Sequence, residues 1–406
     1  MRWSEQYTGI NMVYAASTNF WLTGGRVISV GGGMLLTIAF ANLIPPEVFG
    51  TYKYVIAAAG FTAAFSLSGL GVALMRAVAQ GKLHVTPVVV KTAILWSVPA
   101  SVVTLGISGY YFIQGNEGLG VAFLLISLSN AIGNGVGLAK SVWYGIGDFK
   151  TFTIAGIPRI VIPIAVLLGT LLLTDNIIWI LLAYFVTQTL ASISMYHWTV
   201  RKLRIAKASN DVHETIKYGK QMSVLSFFQL SGGQLDQLLL WHFLGPVPLA
   251  FYAIALSPMQ EARNFLGNFL SMLFPRLAVK SKEEARHIIP TRILQMTLIA
   301  ALVAGAYILL VPYLFKFLFP QYIGAVLISQ VLALTLIFQA KGIIETFFVV
   351  QGEVGKRYIA VLATQALKLV LLFTLIPLYG LWGAVWATIL SEVSSAIVLY
   401  VVYKMA

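Results

Sequence analysis

Twelve long apolar stretches follow one another through this 406-residue chain. A helix needs about 20 apolar residues to cross roughly 30 Å of hydrocarbon, and each stretch reaches that length. Inside lipid, only a helix or a closed barrel satisfies its own backbone polar groups. The pattern therefore predicts an all-α polytopic membrane protein with twelve transmembrane helices. The stretches are residues 20–43, 51–74, 88–113, 119–142, 151–173, 176–198, 217–243, 250–274, 290–312, 323–350, 356–378 and 380–403.

The basic residues are divided unequally between the two sides of these predicted helices. With the N-terminus placed inside, twenty of the 27 lysines and arginines belong to the inner side, and only Lys53 and Lys316 belong to the outer loops. Connections rich in Lys and Arg stay in the cytoplasm. Both termini are therefore predicted to be cytoplasmic, with short outer loops.

Composition supports a bilayer as the solvent. With 59% hydrophobic and only 10% charged residues, a soluble chain would expose too much apolar surface. The net charge of +13 would suggest nucleic acid as the partner of a soluble protein, but here it lies on loops that face anionic membrane lipids. We therefore predict membrane lipids, and no nucleic acid, as partners. The absence of cysteine excludes disulfides and thiol chemistry.

The chain repeats itself at about half its length. Leu43–Tyr52, which carries two prolines, recurs as Leu244–Tyr252 after the seventh stretch. Each half has an even number of spans, so the halves are predicted to be parallel repeats, a six-helix bundle in residues 1–200 and another in 217–406, joined by a basic cytoplasmic linker at 201–216. This arrangement favours a central cavity and transport by alternating access.

Six short motifs resemble one family of membrane proteins. Together they are similar to the pattern of Wzx-type polysaccharide flippases, which belong to the multidrug/oligosaccharidyl-lipid/polysaccharide exporter superfamily. The resemblance extends over essentially the whole chain, although Ala250-Phe251 stands where the family usually has a glycine before the tyrosine. The motifs are Ala41–Tyr52, Leu70–Arg76, Asp236–Leu240, Phe274–Leu277, Phe319–Tyr322 and Gly380–Ala384.

The resemblance implies a flippase that moves an undecaprenyl-diphosphate-linked oligosaccharide across the cytoplasmic (inner) membrane, for cell-surface polysaccharide such as O-antigen. It also implies a lipid-linked oligosaccharide as substrate and a polysaccharide polymerase as a protein partner. No cofactor is expected apart from H⁺ or Na⁺ as a coupling ion. The chain lacks the metal motifs and the nucleophile elbow of enzymes, so we predict that it is not an enzyme.

Charged residues inside the first-half stretches are cationic. Arg26 and Arg159 are accompanied there by no acid, and Lys91 and Lys140 lie nearer the inner side. Guanidinium groups suit phosphate oxygens, and a charge in a span is costly unless it has a function or a partner. We therefore predict that these four residues bind the diphosphate. The alternative is that both arginines extend to the inner headgroups from lipid-facing positions.

The second half mixes both signs of charge. Asp236 lies among glutamines, and its carboxylate is expected either to exchange a proton or Na⁺ or to bind sugar. Glu261 is predicted to face the cavity, and Lys368 and Glu392 to pair with each other or with the substrate. Lys341 and Glu345, four residues apart, favour an intrahelical ion pair. For these charges, purely structural pairing remains an open alternative.

A cation-coupled multidrug antiporter of the same superfamily is the main alternative function. Such a carrier needs acids and aromatic rings around an organic cation. The cationic first half disfavours it. A lipid II exporter remains a third candidate, but that relative usually has fourteen spans.

Overall fold

The structure is a computed structural model that describes residues 12–205, 212–278, 282–351 and 354–405. Within these ranges the chain forms helices and no strand. Part of the predicted basic linker at 201–216 lies outside them. The first eight helices are α1 (Met12–Leu43), α2 (Pro46–Ala63), α3 (Leu70–Ala79), α4 (Thr86–Ile113), α5 (Glu117–Val136), α6 (Ala139–Ile146), α7 (Phe149–Leu173) and α8 (Ile177–Lys202).

Eight further α-helices follow, with 3₁₀ turns at Leu83–Val85, Pro320–Ala325 and Leu334–Lys341. They are α9 (His213–Gly232), α10 (Leu235–Leu244), α11 (Pro246–Ala278), α12 (Lys282–Leu318), α13 (Val326–Ala333), α14 (Gly342–Val350), α15 (Val354–Tyr379) and α16 (Leu381–Lys404).

Nine of the described helical segments are long and apolar enough to cross a membrane. They coincide with nine of the twelve predicted stretches, which supports a multi-pass membrane protein. Stretch 51–74 is divided between α2 and α3, and stretch 217–243 is broken at Gly233-Gln234. Stretch 250–274 forms one helix, but it carries Glu261 and Arg263 near its middle. The exact number of twelve spans and their grouping into two bundles remain predictions.

The chain forms two compact units. The first consists of Met1–Ala39 and Ala59–Phe227. Small and hydroxyl-bearing residues hold its helices together, as is usual in membranes. Ser108 Oγ donates to the carbonyl of Gly120 at 2.6 Å, and Ser127 Oγ donates to that of Ser101 at 2.8 Å, which joins α4 to α5. Thr153 Oγ1 donates to the carbonyl of Trp21 at 3.1 Å and joins α7 to α1.

The second unit consists of Phe40–Ala58 and Phe228–Ala406. It therefore contains both copies of the repeated loop. Gly50 of the first copy packs so closely on Pro246 of the second that a Cβ on Gly50 would lie 1.9 Å from the Pro246 carbonyl oxygen. Phe40 stacks on Tyr52 at 4.4 Å between ring centroids, and Asn42 Nδ2 donates to the carbonyl of Leu318 at 2.9 Å. The repeated sequence thus corresponds to a packed contact.

Asp148 caps the N-terminus of α7. Its Oδ1 accepts a hydrogen bond from the backbone N–H of Thr151 at 3.0 Å. This bonding with Thr151 lowers the pKa of Asp148 below its ordinary value, and nearby Lys202 and Lys150 act in the same direction. The stabilisation is therefore present above the pKa of the unfolded state and is lost as pH falls through the lower, folded-state pKa.

We expect Asp148→Ala to lower the free energy of unfolding by about 1 kcal/mol, because the cap is lost. Asp148→Asn keeps a capping oxygen, so its stability at neutral pH should stay near that of the wild type. The acid-dependent loss of stability should be weaker in Asp148→Asn. Thermal unfolding in detergent from pH 7 down to pH 3 measures both effects. An Asp148→Ala variant as stable as the wild type at pH 7 would contradict the role as a cap.

Candidate functional site: two charged cavities

The four cations predicted to bind a diphosphate all lie in the first unit. Arg26 on α1, Lys91 on α4 and Lys140 on α6 are exposed, whereas Arg159 on α7 is half-buried. Lys140 and Arg159 are near enough for their charges to interact. These two of the four cations therefore lie within electrostatic range of each other.

Arg159 lines a cavity of about 570 Å³ between α7 and α8. Its Nε is buried and has no hydrogen-bond partner among the described residues. Buried polar groups in native proteins are nearly always satisfied, so such an atom requires an explanation. Lys202, in the last turn of α8, also lines the cavity and lies over the ring of Trp198 at 4.8 Å.

The second unit holds a smaller and more polar cavity of about 320 Å³. Its walls come from α10, α11, α15, α16 and the 3₁₀ turn that ends at Lys341. The charged side chains that line it are Asp236, Arg263, Lys341, Lys368 and Glu392.

Glu392 lies between two cations in this cavity. Arg263 Nη2 is 2.7 Å from Glu392 Oε1, and Lys341 Nζ is 2.5 Å from Oε2. Lys341 also donates to Ser395 Oγ at 2.9 Å. The amide of Gln339, oriented with its oxygen towards the guanidinium, accepts from Arg263 Nε at 3.0 Å. Both carboxylate oxygens are therefore matched by charged donors, as a carboxylate removed from water requires.

Asp236 forms a second cluster with residues from distant helices. Tyr252 donates its phenolic O–H to Asp236 Oδ2 at 3.2 Å, and the same phenol contacts Thr388 Oγ1 at 3.1 Å. Lys368 Nζ lies 4.0 Å from Asp236 Oδ2 and donates to the carbonyl of Gly232 at 3.2 Å. Gly232 ends α9, and carbonyls at a helix end lack intrahelical partners. The break between α9 and α10 thus supplies an acceptor for Lys368.

The structure places the second-half charges differently from the suggested pairings. Lys368 lies 4.0 Å from Asp236, and Glu392 is bound instead by Arg263 and by Lys341, which ends a 3₁₀ segment. The intrahelical pair of Lys341 with Glu345 stays a prediction. Glu261 accepts from Asn264 Nδ2 at 3.3 Å and lies outside the residues that line this cavity in the described chain.

Sequence reasoning did not single out Tyr252, Thr388, Gln365 or Ser395 as members of this cavity. Tyr252 belongs to the repeated loop, which indicated a turn but no cavity. The hydroxyl and amide residues lie in apolar helices, and nothing in their spacing indicates that they face Asp236 or Glu392.

The charges that line this cavity nearly balance. Three cations, Arg263, Lys341 and Lys368, stand against two carboxylates, Asp236 and Glu392, which leaves one excess positive charge. Hydroxyl and amide groups complete the walls. In the described chain no group of three or more His, Cys, Asp or Glu residues is arranged to hold a metal ion.

The nine described helices that are long and apolar enough to cross a membrane define the class of protein as a multi-pass membrane protein, and each of its two units holds a charged cavity. A sequence model of the family described as "Polysaccharide biosynthesis protein" matches residues 16–280. The chain belongs to this polysaccharide biosynthesis family. No curated protein sequence matches the chain.

Solved structures share the fold over nearly the whole chain. Lipid II flippase MurJ, in an inward closed conformation, has a TM-score of 0.72 at 12% identity, over 97% of this chain and 88% of its own. An inward-facing multidrug resistance MATE family transporter of the MOP superfamily has a TM-score of 0.65 at 15% identity, over 96% and 97% of the two chains. The outward-facing conformation of a transporter of that family has a TM-score of 0.60 at 15% identity, over 96% and 94%. The resemblance inferred from the sequence is thus confirmed for family and fold.

Proposed function

We propose that this protein is a flippase. It moves an undecaprenyl-diphosphate-linked oligosaccharide across the cytoplasmic membrane by alternating access, for the synthesis of cell-surface polysaccharide. The observation that carries the proposal is the division of charge. The cavity of the first unit is lined by cations and apolar groups, and that of the second unit by both signs of charge and many hydroxyl and amide groups.

This division matches the two chemical parts of the substrate. Phosphates bind best to uncompensated Arg and Lys, whereas sugar hydroxyls accept and donate hydrogen bonds to mixed polar groups. In this proposal Arg26, Arg159, Lys91 and Lys140 bind the diphosphate. Membership of the polysaccharide biosynthesis family and the shared fold with a lipid II flippase support a lipid-linked substrate.

The second cavity serves the sugar and the coupling ion in this proposal. Asp236, Lys368 and Glu392 line this cavity. Glu261 lies on α11, two residues before Arg263. A carboxylate with one phenolic and one cationic partner, as Asp236 has, can exchange a proton or Na⁺ when those partners move. The polymerase that receives the flipped oligosaccharide is the proposed protein partner, and the protein itself performs no covalent chemistry.

A cation-coupled multidrug antiporter is the second candidate, because MATE family transporters share the fold. A site for an organic cation needs excess negative charge or aromatic faces. The cavity of the second unit has one excess positive charge, and that of the first unit is lined by Arg159 and Lys202 without an acid among its described residues. Both observations favour an anionic substrate.

A leaflet assay in proteoliposomes tests the proposal. The probe is a fluorescent undecaprenyl-diphosphate oligosaccharide, assayed with and without imposed H⁺ and Na⁺ gradients. We expect the wild type to flip the probe and Arg26→Ala to lose this activity, because a phosphate-binding cation is removed. Arg292→Ala is the matched control, since Arg292 is half-buried on α12 and its guanidinium donates to Gln295 Oε1 at 2.8 Å. Ethidium efflux without flipping would assign the protein to the drug antiporters instead.

A further inference from the structure

The cavity that Arg159 lines in the first unit is a groove along α7 and α8. Its α7 wall runs from Thr151 to Ile162, eleven steps along the helix, which is about 16 Å at 1.5 Å per residue. Half of a hydrocarbon core is about 15 Å. The groove therefore runs from the ends of these helices to about the middle of the bilayer, the depth of one leaflet.

The middle of the groove is lined by small and apolar residues. Ala155 and Pro158 on α7 lie with Ala191 on α8, and larger side chains such as Ile162 and Leu190 complete the wall. A volume of about 570 Å³ is in the range of pockets that enclose one drug-sized molecule. A single hydrocarbon segment suits this space better than the two chains of a glycerophospholipid.

Positive charge is placed along this groove at two depths. Lys202 lies at the end of α8, within electrostatic range of Asp148, which does not line the groove. Arg159 lies ten residues inside α7, with its backbone about 15 Å from the helix start, and Lys140 is close enough to interact with it. No acidic residue lines the groove in the described chain. A cation at the depth of Arg159 suits a phosphate that has left the interface, whereas the phosphates of structural lipids stay at the headgroup level.

We propose that the groove between α7 and α8 holds the first isoprene units of the substrate's polyprenyl chain, with the attached phosphate at Arg159. This inference rests on the proposed function. The unpartnered Nε of Arg159 and the absence of acids identify the anionic end, and the apolar walls at Ala155 and Ala191 identify the chain. Phosphate binding begins at Lys202 and proceeds inward to Arg159.

Photo-crosslinking in proteoliposomes tests this assignment. The probe is a polyprenyl diphosphate with a diazirine in its first isoprene unit, and labelled peptides are identified by mass spectrometry. We expect labels on α7 and α8 of the wild type. Ala191→Trp fills the groove and should lower labelling about tenfold, equivalent to a loss of only about 1.4 kcal/mol of binding free energy. Val186→Trp, on an exposed face of α8 outside the groove, is the control and should label normally.

Two further measurements, lipid competition and an Arg159 variant, distinguish this assignment from a general lipid site. Excess phosphatidylglycerol should leave the wild-type labelling unchanged, and competition by it would overturn the proposal in favour of a general lipid site. Labels elsewhere in a protein that still flips substrate would also overturn it while leaving the flippase function intact. Labelling of the groove in a protein that does not flip would support the groove and refute the proposed function. Arg159→Gln should weaken labelling by the diphosphate probe and not by an uncharged polyprenol probe.

Discussion

Glu392→Ala is expected to lower the free energy of unfolding by about 3 kcal/mol or more, because it leaves two cations without their shared counter-charge. Arg263 and Lys341 both contact this carboxylate, and their side chains are only 27% and 17% exposed. Charges in so enclosed a place cannot recover full hydration. The variant should also lose most of its flipping activity, since the two cations lose their fixed positions in the cavity.

Thermal unfolding in detergent measures this effect, with Glu117→Ala as control. Glu117 is exposed in the first turn of α5, where a carboxylate contributes at most about 1 kcal/mol. A triple variant, Arg263→Met with Lys341→Met and Glu392→Leu, should recover most of the stability, because an apolar replacement leaves no buried charge unpaired. It should not recover flipping. A single Glu392→Ala variant as stable as Glu117→Ala would show that the three charges are solvated.

Gly383→Ala and Gly50→Ala are expected to fold poorly, with a cost of about 3 kcal/mol, the upper part of the usual range for overpacking. A Cβ on Gly383 would lie 1.9 Å from the carbonyl oxygen of Leu375, and a Cβ on Gly50 would lie at the same distance from that of Pro246. Both neighbours are backbone atoms, so no side chain can rotate away. Relief requires α15 and α16, or the two repeated loops, to move apart.

Gly169→Ala is the matched control for these substitutions. Gly169 lies inside α7, and a Cβ there would meet nothing within 4 Å. Alanine in a helix is favoured over glycine by roughly 0.5–1 kcal/mol, so this variant should be neutral or more stable. Yield of monodisperse protein and thermal unfolding compare all three variants. Normal yield and stability of Gly383→Ala would contradict the close approach of α15 and α16.

These glycines also explain a motif that the sequence matched only by resemblance. In Gly380–Ala384, Gly380 has a φ of +59°, which a residue with a side chain rarely adopts, and it turns the chain between α15 and α16. Gly383 then permits the close approach of the two helices. The turn thus requires the family motif. The motif therefore identifies the fold but gives no information about the substrate.

Much of the membrane architecture could be predicted from the sequence, because crossing a bilayer is a property of one helix at a time. Nine predicted stretches reappear as candidate spans. The breaks within stretches 51–74 and 217–243 were not predicted. Apolar composition continues through these breaks, and the turns at Ser66–Gly69 and Gly233-Gln234 depend on neighbouring helices.

The candidate site was predicted only in part. Asp236, Lys368 and Glu392 stand out in the sequence because charges are rare and costly in apolar helices. Their partners do not stand out. Tyr252 reaches Asp236 from α11, and Thr388 contacts the phenol of Tyr252 from α16. The apolar walls of the groove between α7 and α8 are formed mainly by alanine, proline and aliphatic residues that are common in any membrane helix.

The sequence by itself determined the membrane class, the family and the residues that carry buried charge, since hydropathy and residue type are local properties of the chain. Only the tertiary structure decided which charges meet and where a cavity opens. Arg263 and Glu392 are 129 positions apart, and Lys341 and Glu392 are 51 apart. Contacts over such separations depend on how whole helices pack, and the spacing of residues along one helix does not encode that packing.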